Sequence, residues 1–278
     1  MLKAVFIGSR NDFDQVLVHW LSQRTQLLGV VWTQSTAWQR SWRGRWRFAR
    51  RRLIRYGLAK VFDETLFYLY YHSLLNRRDQ TALRRDVITP YHAEHGVPRW
   101  TGDEMFAGHL NAPEVVSFLR HRRPDVAFAM CVSDYFRKEL RATPKQGVFL
   151  WHEGITPEYR GLYSPFWAVH NLEFEAIGYT VLCMDDAVDA GAVYVQGRAQ
   201  NVDPLRHGHL YLGHKAIIDS LPAVARLLGE LEAGTARPLQ RAGGIARAYT
   251  YPGLSDFIRQ RWRLWASARK ARAQSAKG

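Results

Sequence analysis

Residues 147–161 read Gly-Val-Phe-Leu-Trp-His-Glu-Gly-Ile-Thr-Pro-Glu-Tyr-Arg-Gly. The apolar run Val148 to Trp151 has the length of a short buried strand. It ends on His152 and Glu153, and Pro157, Tyr159, Arg160 and Gly161 build a rigid turn beyond them. Open α/β sheets bind ligands outside the carboxyl ends of their strands. A histidine at such an end is therefore a candidate functional group, and its neighbour Glu153 is expected to be solvated, with amine binding as a second use.

Downstream, the stretch from Gly178 to Gly191 ends an apolar run on Cys183 and Met184 and carries three acids, Asp185, Asp186 and Asp189. A second apolar run, Ala192 to Gln200, follows, so the acids sit in a loop between two paired strands. A carboxylate at one strand end can orient a histidine at a neighbouring end and raise its basicity. His152 and Asp189 are such a pair, and their side chains are expected to meet directly or through one water.

Upstream, Leu2 to Phe6 are apolar, Gly8 and Ser9 turn the chain, and Phe13, Val16, Leu17, Trp20 and Leu21 follow helical spacing. Leu27 to Val31 and Asp125 to Val132 are further strands, with a helix expected over Pro113 to Arg120. Short helices are expected over Tyr135 to Leu140 and Leu162 to His170, and a long one over Tyr211 to Glu232. Strands separated by helices make a parallel sheet. The fold class is thus α/β, with Leu2–Phe6, Leu27–Val31, Asp125–Val132 and Val148–Trp151 predicted in one mostly parallel, Rossmann-like sheet. The first turn lacks the three-glycine pattern of dinucleotide binding.

Several of these residues recur together in a known family. His152, Pro157 five residues later, Tyr159-Arg160-Gly161 and Asp189-Ala190-Gly191 resemble the core of the formyltransferases that use 10-formyltetrahydrofolate. That family includes methionyl-tRNA formyltransferase, glycinamide ribonucleotide formyltransferase and the sugar N-formyltransferases. Looser likeness extends over Met1 to Thr33 and Asn111 to Asp203. The resemblance implies N-formyl transfer from 10-formyltetrahydrofolate to a primary amine, on a nucleotide-linked or lipid-linked amino sugar. It implies His152 and Asp189 as the catalytic pair, and a folate site along Ser133, Tyr135, Asp185 and Asp189. The sequence departs from the family at one place: the asparagine of its Asn-x-His element is Leu150 here. Leucine donates no hydrogen bond to a developing oxyanion. Two other outcomes share the pocket: a formyl hydrolase or other divergent reaction, and a non-catalytic folate- or ligand-binding homologue.

Lysine and arginine total 39 against 25 acids, a formal charge of +14, which favours acidic partners. Eight arginines fall between Arg40 and Arg55, interleaved with Trp38, Trp42 and Trp46. Trp262 and Trp265 repeat the theme among Arg259, Arg261, Arg263 and Arg269. The tryptophans either pack on their own domain or lay a basic amphipathic helix on an anionic membrane, with nucleic acid ranked lower. The expected organisation is a formyltransferase-like domain over 1–203, with a basic, Trp-rich helical insert over about 34–106. A helical C-terminal extension over 204–278 follows, frayed from Ser267. Two cysteines in apolar runs, Cys131 and Cys183, read as free thiols. With no export signal expected in the first residues, the expected place is the cytoplasm, peripheral to the membrane's inner face. His207, His209 and His214 fit no metal-ligand spacing, and no metal is expected.

Overall fold

The apolar runs become strands of one sheet, and the chain between them becomes helices that cover it. The computed structural model describes residues 1–33, 42–130, 135–185, 191–240 and 244–275, without the side chains of Arg43, Arg45 and residues 270–275. The chain opens with β1 (Lys3–Gly8), α1 (Asp12–Ser22) and β2 (Gln26–Thr33). The insert holds α2 (Trp42–Tyr70), α3 (Asn76–Leu83) and α4 (Thr89–His95), joined by π-helical turns at Tyr71–Leu75 and Arg84–Ile88. Then come β3 (Glu104–Ala107), α5 (Pro113–Arg122), β4 (Val126–Met130), α6 (Lys138–Arg141) and β5 (Val148–His152). The remainder is β6 (Arg160–Gly161), α7 (Ser164–His170), β7 (Gly178–Cys183), β8 (Ala192–Arg198), α8 (His209–Glu232), β9 (Ala248–Tyr249) and α9 (Leu254–Ser275).

Among the described residues the main sheet has seven strands in the order β3-β2-β1-β4-β5-β7-β8. The first five pair in parallel; β7 and β8 close the edge antiparallel. The four strands predicted to share one parallel sheet do share it. The order runs outward from β1 to β3, then restarts on the other side of β1 at β4. That reversal opens a crevice at the carboxyl ends of β1 and β4, with β5 beside it.

Alternation along the strands divides the core into two layers. Phe6, Phe128, Phe149, Trp151 and Val181 face a layer that includes α1 and α8, with Leu212, Ile217, Val224 and Leu228 of α8 buried against them. Ile7, Ala127, Ala129, Leu150 and Leu182 face the other layer, with Val115 and Leu119 of α5 and Leu140 of α6. Trp151 Nε1 donates to Ser220 Oγ of α8 at 2.7 Å, so its buried polar atom is satisfied and β5 is tied to the helix.

Two expectations about the helices change, and one open alternative is narrowed. α9 stays helical through Ser275 rather than fraying from Ser267; upstream of that point Leu264 is buried and Gln260 donates to the Phe166 carbonyl at 2.9 Å. The short helix expected from Tyr135 begins only at Lys138. Trp42 and Trp46 of the insert do not pack on the core: both are exposed. Trp38 lies outside the described residues. α2 itself breaks at Gly57, whose φ of 80° is open to glycine and costly for other residues.

Candidate active site

β5 delivers Leu150 and His152 to the same side of the sheet, two residues apart. Leu150 is buried, with Ala129 of β4 and Leu182 of β7 as its register partners. The position that holds an amide in the resembling family is thus filled by a packed apolar side chain.

His152 is also buried. Its Nε2 lies 2.9 Å from the carbonyl oxygen of Tyr159, which can only accept, so Nε2 carries the proton. Ser164 Oγ is 3.3 Å from the same nitrogen and donates to the same carbonyl at 3.2 Å. The ring is therefore held in one tautomer and orientation by the turn that follows it.

That turn is built by the residues that looked like a motif. Thr180 Oγ1 of β7 donates to the Gly154 carbonyl at 2.7 Å and accepts from Thr156 N at 3.2 Å. Gln196 of β8 donates to the Thr156 carbonyl at 2.8 Å. Tyr159 is fully buried, donates its hydroxyl to Glu173 at 2.8 Å and stacks on Tyr249. Gly161 has φ 89°, and a Cβ there would stand 2.3 Å from the carbonyl oxygen of Tyr249, across the β6–β9 pair. Only glycine satisfies both conditions. Gly191 is equally constrained: its Cβ would fall 1.7 Å from the Cys183 carbonyl oxygen. The glycine of Asp-x-Gly therefore brings the two ends of the acidic loop together.

Asp189, Asp186 and Ser133 lie outside the described residues, so the meeting of Asp189 with His152 and the Ser133 contact remain expectations. The flanking positions are described. Tyr135 is exposed after β4, and its carbonyl accepts from Asn111 Nδ2 at 2.6 Å. Asn111 Oδ1 accepts from Arg137 N at 2.8 Å, so one side chain clamps the chain beyond β4. Asp185 is exposed where β7 ends.

Glu153 differs most from expectation. A solvated carboxylate was expected beside the histidine. Instead its carboxylate rests against α8, so close that a Cβ on Gly213 would stand 2.2 Å from Oε2. Burial pushes its pKa up to about 7, while some of the residue's surface stays accessible. Glycine at position 213 makes the room for it. Tyr163, Tyr71 and His209 close the surroundings: His209 lies 4.2 Å from the Tyr71 ring and 4.8 Å from that of Tyr163. Burial holds His209 near 3 and His214 near 4, so both are neutral. At the end of β1, Asp14 accepts from Ser9 N at 2.6 Å and is pushed up to about 7 by burial. Among the described residues its Oδ1 and the Ser9 hydroxyl have no hydrogen-bond partner. The carboxyl ends of β1 and β5 thus present a buried histidine and two carboxyls that titrate near neutrality, a setting for moving protons. Nothing local marks Glu153 in the sequence, because Gly213 lies 60 positions away.

A folate needs an apolar wall for its flat ring and hydrogen-bonding groups at its edge. Ala129, Leu150 and Leu182 are register neighbours across β4, β5 and β7, and with Leu110 and Met184 they belong to one apolar cluster on that face of the sheet, which fits the wall. They bring no metal-ligand chemistry of their own.

No protein-family model matches the chain. In sequence it is similar to methionyl-tRNA formyltransferases. The protein of that name from Synechococcus sp. (strain JA-3-3Ab) is 29% identical over 145 residues, 52% of this chain and 43% of that one. The one from Geotalea uraniireducens is 31% identical over 110 residues, 40% of this chain and 33% of the relative. The chain thus spans less than half the length of these curated relatives. Among solved structures, a sugar N-formyltransferase from Shewanella sp. superposes with a TM-score of 0.52 at 10% identity, covering 92% of this chain and 78% of that one. Glycinamide ribonucleotide transformylase 1 from Symbiobacterium toebii gives 0.52 at 10% identity, over 84% and 89%. These structural likenesses carry the fold.

Proposed function

We propose that this chain, which belongs to the formyltransferases by sequence likeness and fold, moves a formyl group from 10-formyltetrahydrofolate to a primary amine. The observation that carries the proposal is the buried His152, fixed by the Tyr159 carbonyl at the end of β5, beside a Glu153 that titrates near neutrality. Bound 10-formyltetrahydrofolate supplies the formyl group on a nitrogen that can leave. In the exchange one C–N bond breaks, one forms, and a proton passes from the amine to the departing nitrogen.

The chain's own residues handle the proton and the charge. An amine attacks only when neutral. Glu153, ionised, is the group that draws the ammonium form into the site and accepts its proton. His152, its Nε2–H donated to Tyr159, is proposed to turn Nδ1–H toward the developing negative charge. Asp189 is the proposed carboxylate partner of His152, placed to polarise the ring electrostatically while Nδ1 faces the formyl oxygen. Leu150 contributes shape and excludes water, and no donor. Ser133, Tyr135 and Asp185 are proposed to border the folate. A small-molecule amino sugar, nucleotide- or lipid-linked, is the proposed acceptor, with the cytoplasm as the place of reaction.

Glu153 gives a directional pH test. The reaction needs its carboxylate, so kcat/KM should rise as pH rises through about 7. Glu153→Gln should remove that limb and lower the rate by about a hundredfold at pH 8. A Glu153→Gln enzyme with an unchanged profile would remove Glu153 from the mechanism. Incubation with 10-formyltetrahydrofolate and a panel of amino sugars, read by mass spectrometry, tests the activity itself and should return a formylated amine.

A further inference from the structure

The chain carries no Asp or Glu between Asp14 and Asp63, and none after Asp256. These acid-free stretches contain the first half of α2 and nearly all of α9. The two helices pack together: Lys60 pairs with Asp256 at 3.0 Å, Ser255 N donates to Asp63 at 2.9 Å, and the Tyr70 and Phe257 rings lie 5.3 Å apart. Asp63 and Asp256 are therefore used in joining the helices to each other, and Glu64 pairs with Arg52 within α2 at 2.6 Å.

What they leave outward is apolar. On α2, Trp42, Trp46, Ile54, Leu58 and Phe62 are exposed; on α9, so are Ile258, Trp262 and Trp265. Each keeps between 58% and 76% of its surface, which decides against core packing. The spacing is regular. Trp42, Trp46, Arg50 and Ile54 recur every four residues, and Ile258, Trp262, Trp265 and Arg269 line one side of α9. Four indoles at that exposure leave on the order of 400 Å² of aromatic surface, within the range of the largest patch on a typical monomer before the aliphatics are added. Arg50, Arg51, Arg55, Arg259 and Arg261 are exposed in the same helices.

We propose that α2 and α9 form a docking face for an anionic lipid bilayer, with indoles at headgroup depth and guanidiniums on lipid phosphates. Charge complementarity sets the sign of the surface. The aliphatic members choose among anionic partners: Ile54, Leu58 and Ile258 gain only from an apolar phase, which a bilayer offers and a nucleic-acid backbone does not. A second copy of the chain would set one arginine-rich face against another. No described helix is long and apolar enough to cross a membrane, so the helices lie on the surface. The proposal is independent of formyl transfer.

Sedimentation with phosphatidylcholine vesicles, with and without phosphatidylserine, tests it. The full chain should bind the phosphatidylserine vesicles at low salt, lose that binding at high salt, and ignore phosphatidylcholine alone. Reversing Arg50, Arg51 and Arg55 to glutamate should weaken binding on the order of a hundredfold. Trp46→Ser with Trp262→Ser should weaken it about tenfold or more, with an unchanged melting curve, since neither indole supports the core. Brominated lipid should quench the wild-type tryptophan emission. Wild-type protein that leaves anionic vesicles in solution would overturn the proposal. So would full binding by the tryptophan variant, which would leave charge alone. A tryptophan-dependent dimer, or tryptophan-dependent RNA binding, without vesicle binding would assign the face to those partners instead.

Discussion

His152→Ala is expected to lower formyl transfer by about two to four orders of magnitude while leaving folate binding measurable. The imidazole sits where the folded chain can commit it to one task. Its Nε2 is fixed on the Tyr159 carbonyl at 2.9 Å, and the turn that supplies the carbonyl is itself pinned by Thr180 and Gln196. Removing the ring also takes one donor from that carbonyl and leaves it Ser164 Oγ at 3.2 Å, at a cost of about 0.5–1.5 kcal/mol in stability. His152→Gln separates the two effects, because a glutamine amide can donate to the carbonyl and cannot carry a proton at neutral pH. The glutamine variant should melt near the wild type and remain as inactive as the alanine variant. An alanine variant that is folded and fully active would show that His152 only holds the turn.

Leu150→Asn is expected to raise the transfer rate, by about tenfold to a hundredfold, at a cost in stability. Leucine here closes an apolar cluster with Ala129 and Leu182. Trading it for an amide gives up about 1.5–3 kcal/mol of burial and adds the cost of placing a polar group there. The gain is chemical: amine attack puts negative charge on the formyl oxygen, and an amide at this position can donate to it. Leu150→Ala is the control, since it opens space and brings no donor. Kinetics of the three proteins at a temperature where all are folded decide the matter. If asparagine and alanine behave alike, position 150 takes no part in the charge. If the wild type forms no product and the asparagine variant does, the natural protein is not a transferase.

The sheet was legible because its strands are read locally. Leu2–Phe6, Leu27–Val31, Asp125–Val132 and Val148–Trp151 are mostly apolar runs, with Ala4–Phe6, Val30–Val31, Val126–Met130 and Val148–Trp151 buried, and no long-range fact is needed to see them. β3 was not legible: four residues at the edge, with only Ala107 buried, leave little pattern. Within the insert, arginines and tryptophans alternate too densely for periodicity to show which side is covered. The answer depends on α9, which packs there from nearly 200 positions away. The site divides in the same way. His152, Tyr159 and the two glycines stood out because the turn and the loop closure each demand a particular residue type. Glu153 did not, since its depth is set by α8 passing over it with a glycine at position 213.

The proposed reaction passes a formyl group to an amine at this site. The direct measurement is to mix wild-type protein with 10-formyltetrahydrofolate carrying an isotope-labelled formyl carbon, with and without the amino-sugar panel, and follow the label by NMR. Formyl transfer to an amine should give a labelled formamide that appears only with an amine and is lost in His152→Gln. Label appearing as formate at the same rate with or without amine, or staying on the folate throughout, would contradict it.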